Sequence, residues 1–439
     1  MTIPRAWQQG EIAIIGLGAS GLAAAELLAR DGARVYASDA RATPILERTA
    51  TSIASLGVSA QVGGHDLDRI ARASVVVTSP GVPPDAPPLA RARAAGVTVV
   101  SEIEIGLRYL AASTRYIAVT GTNGKTTTTA MVGHVLRGLG YDAPDAGNIG
   151  TPLTQIALSP APPDWIALEM SSFQLHDTPS IAPAVGVLTN LSPDHLDRYP
   201  TVHDYYADKA LLFANADGMS RWVLNQDDAE VARLVARAAA SGAPDARAAS
   251  MPDGGRRFAL PGALGFSLEE SAEAWYERAT DSLVVLGAPL LARRELQLFG
   301  DHNVANALAA SLAVMAADPE HATPAARTRI ADGLRTFRAL PHRLEIVAEV
   351  DGVLWINDSK ATNVSSTLVA VQGMTRPTVL LLGGRHKGEP YTALAEPLRR
   401  IGRAVIAYGE AAPLVERDLE GVVPLVRLGS DFDEVMHRA

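Results

Sequence analysis

The sequence predicts an α/β protein built of three domains in series, and three observations support this prediction. Short apolar runs alternate with Ala- and Leu-rich stretches at helical spacing over the first hundred residues, which is typical of a parallel sheet with crossover helices. Glycine-rich turns follow two of the apolar runs. The length of 439 residues suits about three domains. We predict domains at residues 1–106, 107–339 and 340–439.

Buried strands are predicted where short apolar runs are bounded by turn residues. They are 12–16, 34–38, 75–78 and 97–100 in the first unit, 116–120, 165–168 and 184–189 in the second, and 353–356, 378–382 and 404–408 in the third. Residues 303–317 read as a helix, and residues 232–255 as a helix followed by a surface loop.

Composition excludes several classes of protein. The net charge of −9 argues against a nucleic-acid binder. The absence of cysteine excludes disulfides, thiolate catalysis and cysteine-ligated zinc, and it fits a reducing cytoplasm. Residues 12–29 are apolar, but three glycines and Glu26 interrupt them and no basic segment frames them, so we predict a strand and a helix rather than a signal or membrane segment. We therefore expect a cytoplasmic protein that binds neither nucleic acid nor a membrane.

The first glycine-rich turn, Gly16-Leu17-Gly18-Ala19-Ser20-Gly21, follows a strand and opens a helix. Glycines let backbone N–H groups approach a pyrophosphate, and the helix N-terminus favours the negative charge. Asp39 closes the second strand, where an acid can meet a ribose. The motif fits NAD or a nucleotide-diphosphate sugar equally well, and tight packing without a ligand is a third interpretation.

The second turn is more specific. Thr120-Gly121-Thr122-Asn123-Gly124-Lys125-Thr126 follows the strand at 116–120 and precedes a helix. A phosphate-binding loop needs glycines for close approach, a lysine for the β- and γ-phosphates and a hydroxyl for Mg²⁺. Lys125 and Thr126 supply the last two, although Val119 stands where the standard loop has its first glycine. A glycine turn with an exposed lysine and no ligand is the alternative.

Acidic and basic side chains follow other predicted strands. Glu169 ends the strand at 165–168, and His195 lies in a loop after the strand at 184–189. Both are expected at the carboxyl ends of strands, where open α/β sheets bind ligands, and Glu169 suits Mg²⁺. In the third unit, Arg343 suits a phosphate and Asp358 a ribose, while a surface salt bridge is the alternative.

Together these motifs resemble the Mur ligase family over nearly the whole chain. The discriminating segments, which are similar to the D-glutamate-adding member, are EMSSFQL at 169–175, DHLDRYP at 194–200, PHRLE at 341–345, NDSKATN at 357–363 and LLLGGRHKG at 380–388. The resemblance implies a Rossmann-like first domain for the uridine nucleotide, a central P-loop-type domain for ATP and Mg²⁺, and a Rossmann-like third domain that closes on ATP and the amino acid.

The activity implied by the resemblance joins D-glutamate to UDP-N-acetylmuramoyl-L-alanine at the expense of ATP. The substrate carboxylate takes the γ-phosphoryl group, and the amine of D-glutamate then displaces phosphate from the acyl phosphate. Partners implied are those three substrates, with Mg²⁺ as cofactor, and we expect a monomer.

The resemblance also implies roles for individual residues. Implied catalytic residues are Lys125, His195, Lys209 and Lys360. Implied ATP-binding residues are Gly121, Thr122, Asn123, Gly124, Lys125, Thr126, Thr127, Asn303, Asn306, Arg343 and Asp358. Implied substrate-binding residues are Ala19, Ser20, Asp39, Arg41, Gly81, Asn148, Gln174, His195, Thr362 and Lys387. Implied Mg²⁺ ligands are Thr126, Glu169, His195 and Lys209, the last as a carbamate formed with CO₂.

One departure affects the amino-acid site. Members of the family continue past a helix like 430–439 into a further strand and a loop that holds the D-glutamate carboxylate, whereas this sequence stops at Ala439. Three other functions are compatible with parts of the sequence. They are an ATP-dependent ligase for another amino acid or for folate, an NAD-dependent oxidoreductase, and a non-catalytic nucleotide sensor.

Overall fold

The computed structural model describes residues 3–196, 198–240, 258, 260–386 and 388–439. These residues form a five-stranded sheet, a nine-stranded sheet, and a final unit with a two-stranded and a three-stranded sheet. No helix among the described residues is long and apolar enough to cross a membrane.

The first sheet is fully parallel in the order β3-β2-β1-β4-β5. Its strands are β1 Glu11–Ile15, β2 Arg34–Asp39, β3 Ser59–Val62, β4 Val75–Thr78 and β5 Val99–Ser101. The helices are α1 Arg5–Gln8, α2 Ala19–Arg30, α3 Pro44–Ala54, α4 Leu67–Ile70, α5 Pro87–Ala94 and α6 Glu102–Tyr109. Strand order reverses between β1 and β4, and such a switch point opens a crevice at the carboxyl ends of the strands.

The central sheet has the order β14-β13-β12-β11-β10-β9-β6-β8-β7 and is parallel except at β12–β13 and β13–β14. Its strands are β6 Arg115–Thr120, β7 Asp145–Gly147, β8 Trp165–Glu169, β9 Val185–Leu188, β10 Arg221–Asn225, β11 Ala263–Ser267, β12 Ala274–Glu277, β13 Ser282–Val285 and β14 Ala288–Ala292. The helices are α7 Lys125–Gly138, α8 Leu153–Ala157, α9 Ser172–His176, α10 Val202–Ala210, α11 Ala229–Ala240, α12 Asp301–Ala317 and α13 Pro324–Thr336.

This arrangement places three loops side by side, those that follow β6, β8 and β9. Strand β6 pairs with β8 on one side and with β9 on the other, so the turns after all three strands meet at one edge. Apolar clusters bury both faces of the sheet, which explains why its central strands read as continuous apolar runs.

The third unit contains β15 Glu345–Val350, β16 Val353–Asn357, β17 Thr378–Gly383, β18 Gly402–Tyr408 and β19 Leu425–Arg427. Its helices are α14 Val364–Gln372, α15 Ala395–Ile401, α16 Ala412–Leu419 and α17 Phe432–Arg438. Strands β17, β18 and β19 are parallel, whereas β15 and β16 form a separate antiparallel hairpin. A predicted strand at 353–356 therefore exists, but among the described residues it pairs with β15 and not with the parallel sheet.

Sequence reasoning overlooked seven strands of the two larger sheets, β3, β7 and β10 to β14, because several are short and carry polar or small residues. The helix predicted within 232–255 is present as α11, and the loop predicted after it lies outside the described residues. The predicted helix at 303–317 is present and begins two residues earlier, at Asp301.

Candidate active site at the carboxyl edge of the sheets

The first glycine turn is locked in place by backbone geometry and by Asp39. Gly16 has a φ of 94°, and a Cβ at Gly21 would collide with the carbonyl oxygen of Gly16. Asp39 Oδ2 accepts a hydrogen bond from Leu17 N at 3.0 Å, and Oδ1 accepts one from Arg41 N at 2.9 Å. Burial acts to raise the pKa of Asp39, but these N–H donors outweigh it and hold that pKa below its usual value.

The other residues assigned to the first domain surround this turn. Ala19 and Ser20 form the first turn of α2, and Gly81 follows β4, which lies beside β1. Ala19, Arg41 and Gly81 are exposed, so they are available to a ligand at this edge. The structure thus brings these assigned residues to one crevice.

The phosphate-loop candidate begins directly after β6 and ends at the start of α7. Gly121 and Gly124 have φ values of 142° and 81°, and Gly124 is the N-cap of the helix. Lys125, Thr126 and Thr127 form the first turn of that helix. Exposed N–H groups at such a helix start are suited to a phosphate.

Residues of the loop after β9 are hydrogen-bonded to this turn and fix its backbone. Asn190 O accepts from Thr122 N at 2.8 Å, and Asn190 Oδ1 accepts from Asn123 N at 2.8 Å. Thr189 Oγ1 donates to Asn123 O at 2.6 Å. Sequence analysis assigned no role to Thr189 or Asn190, although their place after a buried strand beside β6 was a signal for one.

Two lysines converge on one carbonyl of the phosphate loop. Lys125 Nζ donates to Gly121 O at 3.0 Å and to Thr122 O at 2.7 Å, and Lys209 Nζ donates to Gly121 O at 2.7 Å. Lys209 is fully buried, and its burial, with the nearby positive charge of Lys125, lowers its pKa well below the usual value. Lys209 is therefore poised to lose its proton more readily than an exposed lysine.

Glu169 ends β8, and one of its carboxylate oxygens has no partner in the part of the chain that the structure describes. Its Oε1 accepts from Asn148 Nδ2 at 2.7 Å, whereas its Oε2 is buried without a hydrogen bond to those residues. An unpartnered buried carboxylate oxygen is costly, and a bound cation would remove that cost. This observation fits Mg²⁺, which takes one or two carboxylates and completes its shell with phosphate oxygens and water.

The described residues contain no group of three or more His, Asp and Glu side chains arranged to hold a metal ion. Of the assigned Mg²⁺ ligands, only Glu169 and His195 are of those types. Thr126 Oγ1 accepts a hydrogen bond from Arg343 Nη2 at 2.7 Å in this arrangement.

His195 lies among aromatic side chains, and one of them, Tyr205, is also next to Lys209. The φ of His195 is 55°, and its backbone N donates to Asp194 Oδ1 at 2.8 Å. Its ring centroid is 5.2 Å from that of Phe173 and 6.1 Å from that of Tyr205.

Tyr205 is a site residue that sequence reasoning missed. The centroid of its ring lies 4.6 Å from Lys209 Nζ, and its hydroxyl donates to Thr122 Oγ1 at 3.2 Å. The available signal was spacing, because residues four apart share one face of a helix.

Gln174 caps α9 and faces a cavity between the first and central sheets. Its Oε1 accepts from Ser171 N at 3.0 Å, whereas its buried Nε2 has no hydrogen-bond partner among the described residues. The cavity has a volume of about 290 Å³, and Ser79 and Glu102 also line it. Gln174 thus offers a donor on the side of the cavity that faces the first sheet.

Helix α12 supplies the two asparagines assigned to ATP. Asn306 Oδ1 accepts from Thr128 Oγ1 at 3.2 Å, and Asn306 Nδ2 donates to Asn303 Oδ1 at 3.1 Å. A Cβ on Gly124 would lie 2.5 Å from Asn306 Oδ1. Both asparagines are buried, so they also support the loop.

The third unit reaches this site through Arg343 and the loop after β16. Asp358 Oδ1 accepts from Leu344 N at 3.1 Å, and burial raises the pKa of Asp358. Lys360 and Thr362 are exposed on the same loop. Lys387 lies outside the described residues.

Comparisons with known proteins agree along the whole chain. The model of the Mur ligase middle domain matches residues 119–314, and that of the Mur ligase MurD-like N-terminal domain matches residues 10–101. The chain is 40% identical over 435 residues to UDP-N-acetylmuramoylalanine–D-glutamate ligase of Chromobacterium violaceum, covering 98% of this chain and 89% of that protein. It is also 40% identical over 407 residues to the enzyme of the same name from Gloeobacter violaceus, and this match covers 92% of this chain and 84% of that protein.

The fold is similar to that of UDP-N-acetylmuramate–alanine ligase MurC from Thermotoga maritima, with a TM-score of 0.58 and 20% identity over 97% of this chain and 92% of that chain. At that identity the likeness concerns the fold alone. The sequence relatives carry the assignment: the chain belongs to the Mur ligase family, among the UDP-N-acetylmuramoylalanine–D-glutamate ligases.

Proposed function

We propose that this protein joins D-glutamate to UDP-N-acetylmuramoyl-L-alanine in an ATP-dependent reaction of peptidoglycan precursor synthesis. The observation that carries the proposal is the meeting of Lys125, Lys209 and the unpartnered Glu169 oxygen at one phosphate loop. Two anions, a triphosphate and a carboxylate, must approach each other there, and fixed positive groups lower the cost of that approach.

The reaction is a phosphoryl transfer followed by an acyl transfer. A carboxylate oxygen of the substrate alanine attacks the γ-phosphorus of ATP, the bond to the bridging oxygen breaks, and ADP leaves. The amine of D-glutamate then attacks the acyl carbonyl, loses a proton, and expels phosphate as the amide bond forms. Lys125 would neutralise phosphoryl oxygens in the first step, and positioning contributes more than a strong base.

Each substrate has a supporting group of residues. The turn around Gly18 and the buried Asp39 would receive the uridine diphosphate, with Asn148 and Gln174 toward the muramoyl-alanine part. Arg343 and Asp358 would reach ATP from the third unit, where Lys360, Thr362 and Lys387 would serve D-glutamate. Closing that unit on ATP excludes water, which would otherwise hydrolyse the acyl phosphate.

Mg²⁺ would be held by Glu169, His195, Thr126 and a carbamate on Lys209, and it would supply charge neutralisation at the phosphate oxygens. For Thr126, Arg343 would have to release the hydroxyl with which it is bonded. A carbamate forms when a neutral lysine amine adds to CO₂ and a proton leaves, and it converts a cation into an oxygen ligand. The full burial of Lys209 supports this proposal because burial disfavours its charged form.

A phosphate-release assay with UDP-N-acetylmuramoyl-L-alanine, ATP and Mg²⁺ tests the function. Release should require D-glutamate, and L-glutamate should not replace it. Release with folate instead, hydride transfer from a nicotinamide cofactor, or nucleotide binding without any release would each overturn the proposal. The monomeric state, the cytoplasmic location and the domain boundaries stay predictions.

A further inference from the structure

The start of α14, in the third unit, is hydrogen-bonded directly to the phosphate loop of the central unit. Ser366 Oγ donates to Asn123 Oδ1 at 2.7 Å, and Asn123 Nδ2 donates to Ser365 Oγ at 2.9 Å. Asn363 Nδ2 adds a longer contact to Asn123 Oδ1 at 3.5 Å. We call Asn123, Asn363, Ser365 and Ser366 the clasp.

The backbone and the side chain of Asn123 serve different partners. Its N–H donates to Asn190 Oδ1, and its carbonyl oxygen accepts from Thr189 Oγ1 and from Asn190 Nδ2 at 2.9 Å. These contacts fix the backbone of Asn123 to the loop after β9, within the central unit. The side-chain amide, in contrast, uses both its oxygen and its nitrogen on residues of the third unit, so it acts as a docking group.

The clasp also contacts a second loop of the central unit, the loop that carries His195. Asn363 Nδ2 donates to Asp194 Oδ2 at 3.1 Å, and the hydroxyls of Ser192 and Ser365 lie 3.3 Å apart. The third unit therefore contacts two neighbouring loops of the central unit through one helix start.

The geometry of that helix start is set within the third unit. Asn363 Oδ1 accepts from Ser366 N at 2.8 Å, and the Glu389 carboxylate accepts from Val364 N at 2.9 Å and from Ser365 N at 3.2 Å. Asn363, Ser365 and Ser366 are thus oriented by their own domain before they meet Asn123.

We propose that the clasp is a positioning device that seats the third unit on the phosphate loop and sets the fraction of molecules in the closed arrangement. Its contacts are polar, small and only partly buried, and such contacts between domains separate more readily than apolar ones. Because Asn123 stands between Thr122 and Gly124, any movement of the phosphate loop when it takes up a triphosphate is transmitted to the clasp.

Small-angle X-ray scattering of the nucleotide-free chain tests the clasp without reference to catalysis. The test variant combines Ser365→Ala with Ser366→Ala and so removes both hydroxyls. It should lower the ratio of closed to open molecules roughly tenfold and increase the radius of gyration. The matched control is Thr367→Val, since Thr367 is the next residue on the same helix and, within the described part of the chain, its hydroxyl bonds only to Asn363 O of the third unit, at 3.3 Å. An unchanged radius in the double variant, or an equal increase in the control, would overturn the proposal.

A kinetic measurement, which rests on the proposed function, separates positioning from ligand contact. Loss of the clasp should raise the ratio of phosphate released to amide formed, while the Kd for ADP stays within about twofold of wild type. Ser366→Thr, which keeps a hydroxyl at the same position, should retain most of the coupling that Ser366→Ala loses. A matching loss of ADP affinity, or no rescue by threonine, would contradict a positioning role. If the enzyme is inactive on these substrates, the proposed function is wrong. The scattering measurement then tests the clasp by itself.

Discussion

Glu169 Oε1 accepts a hydrogen bond from Asn148 Nδ2 at 2.7 Å, while Glu169 Oε2 is buried and has no partner among the residues that the structure describes. Asn148 follows β7 and Glu169 ends β8, so the pairing of these strands sets the orientation of the carboxylate. The hydrogen bond holds one oxygen and leaves the other for a cation or a substrate at the same edge as the phosphate loop.

Removing the charge of Glu169 should therefore weaken the use of Mg²⁺. We expect Glu169→Gln to lower the rate of phosphate release about 100-fold and to shift its Mg²⁺ titration to higher concentration. Glu102→Gln is the control for the Mg²⁺ titration and should leave it unchanged, because Glu102 also has a buried oxygen with no partner among the described residues but lies on α6, in the cavity wall beside Gln174. Equal Mg²⁺ titrations for wild type and Glu169→Gln would rule out the metal role.

Gly124 combines a left-handed φ with a close approach to Asn306 Oδ1. We expect Gly124→Ala to lower the free energy of unfolding by about 1–2 kcal/mol and to abolish ATP binding, since the added Cβ is strained and displaces the loop. Gly138→Ala, at the other end of α7, should lower neither the free energy of unfolding nor the affinity for ATP. Its added Cβ would lie 3.9 Å from the nearest atom, Arg329 O. Thermal unfolding and nucleotide titration measure both effects, and normal ATP binding by Gly124→Ala would contradict the loop assignment.

Lys125 lies in the first turn of α7, after the second glycine turn, and the proposed mechanism assigns it to the phosphates of ATP and not to the uridine substrate. Lys125→Ala should reduce ATP turnover by at least about 100-fold and leave the Kd for UDP-N-acetylmuramoyl-L-alanine unchanged within about twofold. Calorimetric binding of the uridine substrate beside a phosphate-release assay separates the two effects. Wild-type turnover in this variant would be incompatible with the proposed mechanism.

The carbamate proposed on Lys209 predicts a dependence on dissolved CO₂. Activity should fall in degassed buffer and return when bicarbonate is added. Lys209→Ala should be inactive and should regain part of its activity with short carboxylates, which supply the missing oxygen ligands. If Lys209→Ala works at the wild-type rate, or if carboxylates never restore activity, the carbamate has no role.

Asp39 should make stability depend on pH in the acid range. Its folded pKa is depressed below the usual 3.8, so its contribution to stability is complete above about pH 4 and is lost as the pH falls through the folded pKa. Asp39→Asn should lower the free energy of unfolding by roughly 1 kcal/mol at neutral pH, with a difference that shrinks below about pH 4. Denaturant titrations of both proteins at several pH values test this prediction. If the difference in free energy of unfolding between wild type and Asp39→Asn grows as the pH falls, the prediction is wrong.

Local patterns in the sequence determined much of this protein. The two glycine turns, the strands before them and the helices after them depend on short-range preferences, such as the left-handed φ that Gly16 and Gly124 supply. The positions of Glu169 and His195 after strands were also readable, because parallel strands present their carboxyl ends at one edge. The motifs likewise indicated the family.

Tertiary structure alone decided which groups meet. The shared carbonyl of Lys125 and Lys209 and the clasp between Asn123 and Ser366 join residues up to 243 positions apart. No local pattern specifies such pairs, because sheet order and the docking of separate domains set them. The antiparallel pairing of β15 with β16 was hidden for the same reason, since an apolar run indicates a strand but not the strand with which it pairs.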